Sequence, residues 1–247
     1  LNLLLEADAD PNHGYALHAA LLSGDREIVQ KLLDHGADPN RSLNRVTPLG
    51  WAVIVGVTEE TIASLFKAGA DPNSNVEGEW PPLLWAAKIS NPEPLRILLE
   101  AGANPNIVDD EGFTALHTAA ENGNANQVAI LLEYEPDLES RTKNNLTPLI
   151  SACAPSGNAE TLQLLLKAGA NPESVGGETL GTPLIFASFL GQPDMVSALI
   201  DAGADASATG DRYTPLSAAA GGPATFEERF PNRKQSTGFQ IGSDEDY

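Results

Sequence analysis

A short block of residues returns seven times at a nearly constant interval, and this period restricts the chain to a repeating architecture more firmly than any other property. The block reads Tyr15-Ala16-Leu17-His18, Thr47-Pro48-Leu49-Gly50, Pro81-Pro82-Leu83-Leu84 and Thr114-Ala115-Leu116-His117. It continues as Thr147-Pro148-Leu149-Ile150, Thr182-Pro183-Leu184-Ile185 and Thr214-Pro215-Leu216-Ser217. Successive starts are separated by 32, 34, 33, 33, 35 and 32 residues. A second block follows the first six at steady phase: KLLDHGADPN from Lys31, SLFKAGADPN from Ser64, ILLEAGANPN from Ile97, ILLEYEPDLE from Ile130, LLLKAGANPE from Leu164 and ALIDAGADAS from Ala198. A further copy, LLLEADADPN, opens the chain at Leu3.

Each block has a physical reading. Threonine before proline starts a helix, because the hydroxyl accepts from free N–H groups and proline at the first helical position loses no hydrogen bond. Leu116, Ala119 and Ala120 predict a thin inner helix that lets a neighbour approach closely. Ser23-Gly24-Asp25 and Glu121-Asn122-Gly123 end such helices. An outer helix follows with one apolar stripe, for example Ile28, Val29, Leu32 and Leu33. Glycine at 36, 69, 102, 169 and 203 stops it where a left-handed backbone is wanted. The Asp-Pro-Asn segments cannot continue a helix and read as β-turns or hairpins.

Helix, turn, helix, Gly-Ala-Asp and hairpin, with a Thr-Pro-Leu-His-like start, resembles the ankyrin-repeat family. The resemblance runs from residue 1 to about 222. It implies an all-α solenoid of stacked helix-turn-helix units with β-hairpin or β-turn loops, in which each repeat needs neighbours to bury its stripe. Residues 223–247 are expected to form an acidic-ended tail, with one helical turn at Glu227 to Phe230. The last repeat shows no outer helix after Gly221-Gly222-Pro223, so the array is expected to be a piece of a longer chain or to be capped by that tail. Tyr15-Ala16 and Pro81-Pro82 depart from Thr-Pro, and the second and fifth repeats carry one extra residue. Glu135-Pro136 stands where Gly-Ala is expected; a left-handed non-glycine residue costs on the order of 1 kcal/mol, which predicts a distorted loop at Glu135-Pro136-Asp137.

Composition excludes several functions. The formal charge is −20, from 34 acidic and 14 basic residues. Such a surface repels nucleic acid and anionic membranes and accommodates neutral or basic protein partners. No apolar run reaches the length of a membrane span. The single cysteine, Cys153, rules out an internal disulfide framework and a multi-cysteine zinc site, and fits an intracellular, cytoplasmic location. The sequons at Asn40 and Asn145 read as chance matches. Asp8 to Gly14 imitates a calcium loop, but Ala19 and Ala20 stand where the bidentate glutamate belongs. No phosphate loop, HExxH or G-x-S-x-G occurs, so no catalytic residue, metal ligand or cofactor is expected and the chain is read as a non-enzyme.

The resemblance implies that His18 and His117 bond to a neighbouring loop rather than act in catalysis. It also implies that partners contact hairpin tips and the exposed side of the inner helices. Val46, Trp80, Phe113, Leu146 and Tyr213 immediately precede start motifs, with Gly181 at the equivalent place in the sixth repeat. Leu22, Val55, Ile89, Phe189 and Leu190 lie at inner-helix ends. With the acidic tip residues Asp110 and Glu111 they form the candidate partner-binding set, alongside Glu77, Glu121, Glu178 and Asp211. Leu32 and Leu65, each six residues before an Asp-Pro-Asn segment, make Asn40 and Asn73 similar to hydroxylated ankyrin asparagines, although both have a plain turn role. The function expected is a protein–protein interaction scaffold; the alternative is the substrate-recruiting arm of a larger enzyme or ubiquitin-ligase-type assembly.

Overall fold

The computed structural model describes residues 1–74, 78, 80–176, 181–210 and 213–220. The expected tail, the helical turn at Glu227 and the end of the last repeat lie outside the described residues. Five start motifs begin a helix as their residues dictate. The Thr47, Thr114, Thr147, Thr182 and Thr214 hydroxyls accept from backbone N–H groups three residues on, at 3.1–3.4 Å. Tyr15 and Pro81, the two departures, make no such side-chain cap. Tyr15 instead turns the chain with a left-handed φ of 57°.

The inner helices are α2 (Ala16–Ser23), α4 (Pro48–Val55), α6 (Pro82–Lys88), α8 (Ala115–Glu121), α10 (Pro148–Ala152), α12 (Pro183–Phe189) and α14 (Pro215–Ala219). Each packs on the next in a single row. A leading helix α1 (Asn2–Glu6) precedes outer helices α3 (Arg26–Asp34), α5 (Glu59–Lys67), α7 (Glu93–Glu100), α9 (Ala125–Leu132), α11 (Ala159–Lys167) and α13 (Pro193–Asp201). Among the described residues the loops hold only isolated bridges, Leu43 to Val46 and Gly176 to Gly181, so they are turns rather than hairpin ladders.

One continuous seam forms the core. The motif leucines Leu49, Leu83, Leu116, Leu149 and Leu184 are at most 1% exposed. The outer helices add Val29 with Leu32, Ile62 with Leu65, Leu95 with Leu98, Val128 with Leu131, and Leu162 with Leu165, all buried at the same register. A fully buried side chain of this kind contributes about 1.5–3 kcal/mol relative to exposure, so the array draws its stability from seams shared between neighbours. Gly50 also belongs to a seam: a Cβ there would lie 2.9 Å from Val46 and 3.4 Å from the Trp85 ring.

The turns after the outer helices stack into a polar ladder along one edge. Within each turn an Asp or Asn carboxyl or amide oxygen accepts from the N–H two residues on, as Asp38 does from Asn40 at 2.8 Å. Between turns, the Asn40 side chain donates to the Gly69 carbonyl at 2.9 Å and accepts from Asp71 N–H at 2.8 Å. Asn73 repeats this with Gly102 at 3.2 Å and Asn104 at 2.7 Å. The turn role expected of Asn40 and Asn73 is thus filled on both sides of the amide. Glu135 adopts a left-handed φ of 50°, as glycine does elsewhere, and Asp137 N–H still reaches Asn106 at 2.8 Å. The departure expected at Glu135-Pro136-Asp137 is local: the strained left-handed residue is present, while the turn stays in register through Asn106. It also costs a backbone bond: Pro136 has no N–H to return to the helix, where Ala37 donates to Leu32 at 2.9 Å.

The histidines tie one repeat to the next. Thr114 N–H donates to His117 Nδ1 at 3.2 Å, so Nε2–H is left to donate to the Leu146 carbonyl at 3.0 Å. His18 Nε2 lies 3.4 Å from the Val46 carbonyl, the equivalent atom one repeat after its own. Burial drives the His117 pKa down to about 4, against smaller opposing pulls from the Leu146 and Ser140 backbone. Burial likewise lowers that of His18.

Two outcomes are expected. Leu116→Ala should destabilise the array by about 2–5 kcal/mol in urea unfolding. For His117, the unfolded side chain titrates near 6.5. The stability that comes from keeping the folded ring neutral is therefore complete above about pH 6.5 and is lost as pH falls toward 4. This group alone should cost roughly 2–3 kcal/mol between about pH 7 and about pH 4.5. His117→Leu, which copies Leu84, should show a correspondingly shallower acid loss in urea titrations at the two pH values.

Candidate functional site

Stacking buries the outer-helix stripe and the motif leucines, and the candidate residues lie on the exposed side of the inner helices and on the loop tips beside it. The structure sorts the candidate residues by how much side chain they offer. Val46 and Leu146 are 2% and 8% exposed, with their carbonyls beside His18 and His117, and Gly181 is buried too. These positions serve loop-to-helix packing and are removed from the binding set.

The three aromatic members stay half-buried, each against a particular partner. Trp80 packs on Trp85 with ring centroids 4.8 Å apart. Phe113 meets the His117 ring edge-on at 5.8 Å. Tyr213 meets Phe189 edge-on at 4.8 Å, linking the last described loop to α12. Leu22 is 56% exposed, while Val55, Ile89, Phe189 and Leu190 keep part of their surface. The candidates thus form a discontinuous apolar row across α2, α4, α6, α8 and α12.

The sequence reading missed Trp51, Trp85 and Lys88. The first two occupy the fifth motif position, which also holds Phe186; aligning the repeats at that position shows bulky rings in three of seven. Trp51 and Phe186 are buried, and Trp51 lies edge-on to His18 at 6.3 Å. Lys88 places its ammonium 5.3 Å from the centre of the Trp80 ring, a cation–π arrangement. Burial lowers the Lys88 pKa and the neighbouring Glu121 charge opposes that shift.

Charge is distributed unevenly. The inner helices carry only Lys88 and Glu121 among Asp, Glu, Lys and Arg. Their floor is therefore nearly neutral, although the chain has a net charge of −20. The acidic tip is real but internally engaged: Asp110 accepts from Gly78 N–H at 2.6 Å, and Glu111 lies 3.8 Å from Lys143. Both members of that ion pair are well exposed, so it contributes little. Asp109 is buried, accepts from Glu111 and Phe113 N–H at 2.9 and 2.8 Å, and has its pKa raised chiefly by burial. It organises the loop. Arg141 is held by the Val175 carbonyl at 2.7 Å, and Arg41 stacks over Tyr15 at 5.1 Å while donating to the Asn12 carbonyl. Glu77, Glu178 and Asp211 lie outside the described residues.

Burial pushes the Cys153 thiol up to about 12, so it is protonated at neutral pH and lies 3.6 Å from the Leu149 and Pro183 carbonyls. Among the described residues no group of three or more His, Cys, Asp and Glu could hold a metal ion, and no helix is long and apolar enough to cross a membrane.

Comparison with known proteins agrees with this architecture. A family model for ankyrin repeats in three copies matches residues 1–76 and 83–176, and a single ankyrin-repeat model matches residues 181–211. The ankyrin repeat domain of Bcl-3, described as a unique member of the IkappaB protein family, is 29% identical, with a TM-score of 0.73 over 84% of this chain and 95% of that one. The human ASB11 ankyrin repeat domain is 25% identical, with a TM-score of 0.71 over 86% and 94%. No curated protein matches the sequence. Two motif blocks in phase, a stack of paired helices along one leucine seam and these matches lead to one conclusion: the chain belongs to the ankyrin-repeat family.

Proposed function

We propose that this chain is a non-catalytic scaffold that captures a protein on its concave side, with Leu22, Val55, Trp80, Ile89, Phe113, Phe189, Leu190 and Tyr213 supplying the apolar contact. Ankyrin repeats are generally protein–protein interaction modules, so the class of function follows from the family. The observation that supports this surface is the near-neutral inner-helix floor with half-exposed aromatic and aliphatic side chains, in a chain whose charge is otherwise strongly negative. Large, partly buried aromatic rings can desolvate fully against a partner with little loss of side-chain freedom. The acid residues around that floor, Asp110 and Glu111 among them, favour a neutral or basic partner and would hasten its approach at low salt. A reducing, intracellular setting suits the buried Cys153 thiol.

The reading is tested with Trp80→Ala, Phe113→Ala and Tyr213→Ala combined, assayed by calorimetry against a partner captured with the unaltered chain. Loss of three anchors should weaken binding by roughly 100-fold or more while the helical circular dichroism and melting cooperativity persist. Gln163→Ala, on exposed outer helix α11, should leave affinity unchanged. Equal affinity for the folded triple variant would remove the concave face from consideration.

A further inference from the structure

The polar ladder changes character halfway along the molecule. Three successive steps make two bonds each. Asn12 donates to the Gly36 carbonyl at 3.1 Å and accepts from Asp38 N–H at 2.7 Å, and Asn40 and Asn73 do the same one and two repeats later. The next three steps make one bond each. Asn106 accepts from Asp137 N–H at 2.8 Å, Glu139 from Asn171 N–H at 2.8 Å, and Glu173 from Asp205 N–H at 2.7 Å. Chemistry explains the last two losses, because a glutamate side chain lacks the amide N–H that asparagine would donate to the Gly169 or Gly203 carbonyl. At Asn106 the loss coincides with Glu135, the non-glycine residue held at a φ of 50°.

Other features weaken the same half. Pro136 removes a backbone bond that the other turns make. The fifth inner helix, α10, has 5 residues where α8 and α12 have 7. In a solenoid, stability is close to a sum of repeat and neighbour terms, so several weak terms in succession set a boundary between units of unequal stability.

We infer that the array is built in two tiers, a firm one up to α8 and a second, from α10 onward, that opens on its own under native conditions. Phe189, Leu190 and Tyr213 lie on the second tier. If the concave-face reading above holds, and this consequence rests on it, those three contacts are available only while that tier is closed. A partner spanning both tiers would then close it on binding, and one confined to Leu22, Trp80 and Phe113 would not.

Native-state hydrogen exchange of the full chain, read by mass spectrometry, tests the two tiers without any partner, so its result is independent of where binding occurs. Amides of α11 should exchange at least about fivefold faster than those of α3, although α11 is one outer helix in from its end of the described array and α3, covered by the short leading helix α1, is the first of the row. Glu139→Asn with Glu173→Asn supplies an amide donor at both positions and should slow exchange in α11 and α13 several-fold without changing α5 or α7. The converse pair, Asn40→Glu with Asn73→Glu, should speed exchange in α5 and α7. Equal protection of α3 and α11, or α11 and α13 rates unmoved by the asparagine pair, would overturn the inference.

Discussion

A pair of helices of 5–9 residues cannot bury its own apolar stripe, and everything else in this molecule follows from the need to lend that stripe to a neighbour. Leu49, Leu83, Leu116, Leu149 and Leu184 sit at one register because each fills the space between its own helices and those of the adjoining repeat. The small residues beside them, such as Ala86, Ala119 and Ala187, are fully buried because helices that approach this closely leave no room for more. The seam is therefore both the source of stability and the reason for the shape, since units of one size joined the same way generate a stack.

The stack divides the surface by task. One edge is given to the ladder of turn amides, the outer helices carry much of the charge, and the loop tips are fastened sideways by Asp110 to Gly78 and Arg141 to Val175. What is left is the inner-helix floor, where Lys88 and Glu121 are neighbours of opposite sign and apolar side chains retain part of their surface. That mostly apolar floor beside charged tips is the surface proposed above for a protein partner.

The repeat, the helix starts and the core register were legible in the sequence because each is a local rule repeated in phase: Thr47 and Thr182 cap, Pro48 and Pro183 occupy the first turn, and leucine follows. The site was only partly legible. Val46 and Leu146 occupy the same motif position as Trp80 and Phe113, yet their side chains are buried, and position alone does not separate a residue that packs under a loop from one that leans over the floor. Lys88 went unnoticed because a single lysine at a helix end carries no pattern; its meaning comes from the Trp80 ring beneath it. The departure at Glu135 stays local because the ladder bond from Asp137 to Asn106 holds that turn in register.

We propose that the inner-helix floor is the face that meets a partner. Site-specific photo-crosslinking tests it most directly, with a photoreactive aromatic residue placed at Ile89 on the floor in one variant and at Gln163 on outer helix α11 in another. The account predicts a crosslinked adduct from position 89 and none from position 163 when both variants are folded and saturated with the same partner. An adduct from 163 alone would contradict it.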